Sequence, residues 1–104
     1  MSKNKVTTFA EQVRTLREEA RLSLREVSEE IGIDSSLLGK IERNQRPPTK
    51  EQIKQVAKYF KLDEREMMKE FLSDQIAYRI LEEGADLDTL KVAERKVQYL
   101  KAKQ

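Results

Sequence analysis

The sequence contains no cysteine and no histidine. Disulfides, thiol nucleophiles, imidazole acid–base chemistry and the usual zinc ligands are thereby excluded together. A Gly-rich phosphate loop and metal-ligand spacings are also missing, and the expectation is a protein that is not an enzyme and carries no cofactor or metal. No apolar run approaches the ~18–20 residues needed to cross a bilayer. Met1 to Val6 lack the apolar stretch of a secretory signal, so the cytoplasm is the expected location and no membrane is an expected partner. Alternating β-branched runs and hairpin dipeptides do not occur, so no strands are expected.

What remains is a chain of 104 residues with 38% hydrophobic and 38% charged side chains. That length and balance suit one small domain with a modest core and a short appendage. The net charge is only +2, but its distribution is uneven. Residues 1–34 hold six basic and seven acidic side chains, and residues 62–104 hold eight and ten. Residues 35–61 hold seven basic ones (Lys40, Arg43, Arg46, Lys50, Lys54, Lys58, Lys61) against Glu42 and Glu51. Such a patch is the footprint expected for a polyanion, because phosphate neutralisation releases counterions; a solvated lysine-rich helix face would look the same.

Periodicity and caps divide the chain into helices. Phe9, Val13, Leu16 and Ala20 predict an amphipathic helix over about Thr8–Arg21. Leu24, Val27 and Ile31 mark a second helix, Leu37, Leu38 and Ile41 a third, and Ile53, Val56, Ala57 and Phe60 a fourth. Thr8/Glu11, Ser23/Glu26, Thr49/Gln52 and Asp63/Glu66 all have capping-box spacing, in which the first side chain accepts from the third amide and the acid or amide reaches back. Gly32 and Asn44 are suited to the left-handed stops of the second and third helices. Pro47-Pro48 then imposes an extended step. Beyond Asp63 a long helix runs to about Gly84, and a last one is expected over Asp88–Lys101.

A helix opening at Ser23, a Gly32 turn and a helix opening near Asp34 predict a helix-turn-helix, with Val27, Ile31, Leu38 and Ile41 packed inside it. Residues 16–62 carry Leu24-Arg-Glu-Val-Ser-Glu-Glu-Ile-Gly-Ile-Asp-Ser-Ser-Leu-Leu-Gly-Lys-Ile-Glu-Arg43, then Arg46-Pro-Pro-Thr49, then the Ala57 helix. This stretch resembles the Xre/Cro family of phage-repressor-type helix-turn-helix domains. The resemblance implies an all-α fold: a five-helix lambda-repressor-like DNA-binding domain over 1–62, with a C-terminal helical extension over 63–104 made of the long helix and the final helix. It also implies sequence-specific binding of double-stranded DNA that regulates transcription, most simply as a repressor of its own or neighbouring genes or as a restriction–modification controller.

Site residues follow from the same resemblance. Ser35, Ser36, Gly39 and Lys40 match positions at base edges, where serine hydroxyls are versatile and lysine favours guanine O6 and N7. Arg43, Gln45, Arg46 and Lys50 correspond to the loop that clamps the sugar–phosphate backbone, and Ser23 to a phosphate contact opening the second helix. Leu24 departs from a common phosphate-binding Gln, so that contact is either lost or taken by Arg25. Ser28, replacing a small residue, is expected to bond a carbonyl one turn back. Gly39 costs ~1 kcal/mol relative to Ala inside a helix, and a close approach to DNA is the expected reason. Arg17 and Glu42 match a structural ion pair of the family.

The C-terminal 42 residues carry apolar stripes longer than a minimal core needs. Phe71, Leu72, Ile76, Ile80, Leu90, Val97 and Leu100 are expected to form a homodimer interface, since the inverted-repeat operators implied by the resemblance match two-fold symmetry. A fold-back extending the chain's own core is the other reading. No small-molecule pocket is evident. The functional alternative is an antitoxin-like interaction module whose C-terminal helices bind a partner protein.

Overall fold

A computed structural model describes residues 6–104, which form six helices and, among the described residues, no strand. The helices are α1 (Phe9–Glu19), α2 (Leu24–Ile31), α3 (Ser35–Glu42), α4 (Lys50–Tyr59), α5 (Glu64–Glu83) and α6 (Asp88–Ala102). The all-α expectation therefore holds. None of these helices is long and apolar enough to cross a membrane.

The caps set the starts. Three complete capping boxes form: the Thr8, Ser23 and Thr49 side chains accept from the Glu11, Glu26 and Gln52 amides at 3.2, 3.0 and 3.1 Å. In return Glu11, Glu26 and Gln52 accept from the Thr8, Ser23 and Thr49 amides at 2.9, 2.8 and 2.9 Å. At α5 the Asp63 carboxylate accepts from the Arg65 and Glu66 amides at 2.8 and 3.1 Å. Each such cap stabilises its helix by about 1 kcal/mol.

The stops of α1 to α5 share one device. Arg21, Gly32, Asn44, Lys61 and Gly84 all adopt positive φ. The amide after each donates to a carbonyl five residues back: Leu22 to Arg17, Ile33 to Ser28, Gln45 to Lys40, Leu62 to Ala57 and Ala85 to Ile80, at 2.8–3.1 Å. This closes the helix end and satisfies an otherwise orphaned carbonyl. Gly32 and Asn44 were expected there. Arg21 and Lys61 were not, and the first explains why α1 ends at Glu19 instead of continuing to Arg21.

The chain divides into two compact units, one ending at Leu72 and one covering Ser73–Gln104. The first is built on Phe9, Val13, Val27, Ile31, Leu38, Ile53, Val56, Ala57 and Met67. It runs ten residues past the boundary expected at Leu62, and the reason is packing. Met67 is 5% exposed within this core, and the Phe71 ring meets Phe9 edge-on at 5.8 Å. Gln12 Nε2 also donates to Glu70 Oε1 at 2.6 Å, tying α1 to α5. Phe71, expected at a dimer interface, is thus engaged with the core of its own chain.

The second unit contains the rest of α5 and all of α6, and none of its residues is buried. Its large apolar side chains stay open: Ile76 is 53% exposed, Val97 52% and Leu100 57%.

Candidate nucleic-acid interface

The α2–turn–α3 unit is fixed from below. Val27 (0% exposed), Ile31, Leu38 and Ile41 are buried on the facing sides of the two helices. Gly32, at φ 73°, makes the turn between them, and a side chain there would be strained. Ser28 is buried, and its hydroxyl donates to the Arg25 carbonyl at 2.9 Å, as expected for a polar residue in that place.

On α3 the burial pattern separates two faces. Leu38, Gly39, Ile41 and Glu42 are buried, while Ser36, Lys40 and Arg43 are exposed. Residues at i, i+4 and i+7 share one side of a helix. Ser36, Lys40 and Arg43 therefore stand in a row on the open face, with half-buried Ser35 beside them at the helix start.

The orientation of α3 is locked by one ion pair. Arg17 Nε and Nη2 donate to Glu42 Oε2 and Oε1 at 2.8 and 2.9 Å, a two-pronged contact between α1 and the last residue of α3. Arg17 Nη1 also donates to the Leu22 carbonyl at 2.9 Å. Both side chains are largely withdrawn from water. Hydrogen bonding to Glu42 raises the already high pKa of Arg17, so the guanidinium stays charged. The sequence marked this pair, and the structure brings it together over 25 residues of chain.

The backbone-clamp candidates are all at the surface. Ser23, Arg25, Arg43, Gln45, Arg46 and Lys50 are exposed. Arg25 lies 3.4 Å from Glu29 in an open i,i+4 pair. Such a pair contributes at most about 1 kcal/mol, so Arg25 can exchange it for a phosphate at little cost. Ser23 is already committed as the α2 cap in both directions. Leu24, by contrast, packs against the core, which leaves Arg25 as the long polar side chain next to the α2 start.

Gly39 is buried, and a Cβ built on it would lie 3.6 Å from Leu24 Cδ1 and 3.1 Å from Arg43 Nη1. The space beside this glycine is bordered by the protein's own Arg43 and Leu24 side chains. Its sequence signal, a glycine inside a helix, was visible, but its neighbours were not.

A family model described as a helix-turn-helix domain matches residues 8–70. The chain belongs to the helix-turn-helix domain family, in its Xre/Cro-like branch. Among solved structures, this helix-turn-helix protein is similar to the restriction-modification controller C.AhdI from Aeromonas hydrophila. The two are 30% identical over 57% of this chain and 89% of the controller, with a TM-score of 0.53. The fold is also that of SinR, a master regulator for biofilm formation solved in complex with DNA, at 24% identity, 59% and 98% coverage and a TM-score of 0.54. The clp gene regulator ClgR from Corynebacterium glutamicum shares it over 85% of this chain and 88% of its own, at 19% identity and a TM-score of 0.54. A search of curated protein sequences finds no match.

Proposed function

We propose that this helix-turn-helix protein binds double-stranded DNA sequence-selectively and regulates transcription in the cytoplasm, acting as a homodimer on an inverted-repeat operator. The carrying observation is the two-faced α3, whose inner side is pinned by Leu38, Ile41 and the Arg17–Glu42 pair, leaving Ser36, Lys40 and Arg43 in an open row. A helix so presented fits the major groove, where base edges carry a distinct donor and acceptor pattern. Ser35, Ser36 and Lys40 face base edges in this reading, while Ser23, Arg25, Gln45, Arg46 and Lys50 grip the sugar–phosphate backbone. The basic excess of residues 35–61 supplies the sequence-independent part of the affinity.

The second unit supplies the dimer. Its 32 residues bury no side chain fully, yet display Ile76, Leu90, Val97 and Leu100. A helical segment of that length does not stabilise itself without a partner surface. The twin segment of another copy is such a surface, and Leu72 and Ile80 contribute at its margin. Simple promoter occlusion then gives repression, and the likeness to a restriction-modification controller favours control of the protein's own or adjacent genes.

Hydroxyl-radical footprinting on the DNA upstream of the gene tests this reading. The expected result is two protected half-sites related by two-fold symmetry and spaced by about one helical turn. A protein that protects no site, or protects all DNA evenly, contradicts it.

A further inference from the structure

The side chain of Arg43 lies against Gly39 of α3. Arg43 is the first residue past α3, at φ −92°, and its own amide still bonds the Gly39 carbonyl. Helical side chains lean toward the N-terminus, onto the residue four positions earlier. Here that residue is Gly39. The Arg43 Nη1 lies 3.1 Å, and Cζ 3.8 Å, from where a Gly39 Cβ would be. The guanidinium therefore folds back beside Gly39, one turn toward the end that carries Ser35 and Ser36. A Cβ at this position would press on Nη1 and displace it by a few tenths of an ångström, and Leu24 Cδ1 borders the same space at 3.6 Å.

A second contact fixes the direction of the fork. Arg43 Nε donates to Gln45 Oε1 at 3.3 Å, which uses the inner edge of the guanidinium and leaves the Nη1 and Nη2 pair for an outside acceptor. By helical spacing Arg43 falls between Ser35 and Lys40 around the axis, in the middle of the open face.

We infer that Arg43 is a specificity-determining residue, reading a guanine through its two terminal nitrogens from the Gly39 cradle. The two parallel N–H donors match guanine O6 and N7, a pairing that lysine cannot reproduce as a fork. Gly39 is then a positioning residue that contacts no base and acts through Arg43. Gln45 shares that role by orienting the guanidinium. This inference rests on the DNA-binding reading above.

The test is a competition of the full-length protein on a set of duplexes carrying every single-base change in its footprinted site. The wild type and Arg43→Lys are compared, with Arg43→Ala and Gly39→Ala alongside. The expected result for Arg43→Lys is loss of about tenfold or more in preference at one G·C pair per half-site, with discrimination elsewhere kept and the salt dependence nearly unchanged. Gly39→Ala is expected to weaken preference at that same pair, because the added methyl displaces Nη1. If Arg43→Ala instead weakens all duplexes equally and lowers the salt slope by about one, Arg43 is a backbone contact and the inference is overturned. If the wild type itself distinguishes no sequence, the DNA-binding reading fails first, and this inference with it.

Discussion

Arg17 and Glu42 form a two-pronged ion pair at 2.8 and 2.9 Å between α1 and the end of α3, with the Glu42 side chain only 4% exposed. Removing one member leaves the other charge withdrawn from water and unpaired, which costs about 3 kcal/mol. Arg17→Ala and Glu42→Ala are each expected to lower stability by that order in urea denaturation. Arg17→Met combined with Glu42→Leu is expected to cost less than either alone, because no buried charge is left behind. A single variant that matches the wild type would show that the pair does not hold α3.

The unexpected left-handed residues give a second prediction. Lys61 and Arg21 sit at φ 58°, where a Cβ costs about 1–2 kcal/mol that glycine avoids. Part of that gain is offset by the greater freedom of glycine in the unfolded chain, about 0.4–1 kcal/mol. Lys61→Gly and Arg21→Gly should therefore stabilise, by about 0.8 kcal/mol at the middle of these ranges. Asn44→Gly should gain less, because asparagine tolerates this region. Thermal melts of the three variants settle the order.

These positions also show what was legible in the chain. Cap chemistry is local, so Thr8, Ser23 and Thr49 announced their helices, and Gly32 and Asn44 announced two stops. Arg21 and Lys61 carry no such mark, since their conformation is imposed by helix ends that must fold back onto a shared core. The same distinction runs through the site. Exposed Lys40 and the Arg17–Glu42 pair were readable because their positions in a familiar motif fix their surroundings. The neighbours of Gly39, Leu24 and Arg43, were not legible, because they are assigned by the packing of α2 on α3 and by a rotamer. Phe71 belonged by pattern to the extension, but its partner Phe9 lies 62 residues away in sequence.

Acid should weaken the α2 cap. The Ser23 amide donates to the Glu26 carboxylate at 2.8 Å, and this bond first, with the Ser23 hydroxyl second, holds the carboxyl below the ordinary glutamate value of about 4.3. A depressed folded value means that the charged cap contributes its full stability above that ordinary value. The contribution is lost as pH falls through the lower folded value. The stability difference between wild type and Glu26→Gln should accordingly be constant near neutrality and shrink below about pH 4. A difference that persists unchanged into strong acid would place the cap's contribution outside the carboxylate.

Dimerisation should depend on the open apolar side chains of the second unit. Val97→Glu and Ile76→Lys place charges at positions 52% and 53% exposed in the single chain. Both should leave the helix content of the first unit intact while converting a dimer to a monomer in light scattering at tens of micromolar. The first unit's core gives the opposite response. Leu38, 1% exposed, should cost about 2–5 kcal/mol on replacement by Ala, without a direct effect on association.

The central claim is that α3 reads base sequence, and its most direct measurement is the affinity of the wild type and Lys40→Ala for the specific site and for random duplex across a salt series. The predicted result is a specific complex for the wild type whose affinity falls steeply with salt, and a Lys40→Ala protein that loses about 1–3 kcal/mol of discrimination at one base pair. Equal binding of both proteins to both duplexes at every salt concentration would contradict it, leaving the helix-turn-helix a scaffold for the second unit.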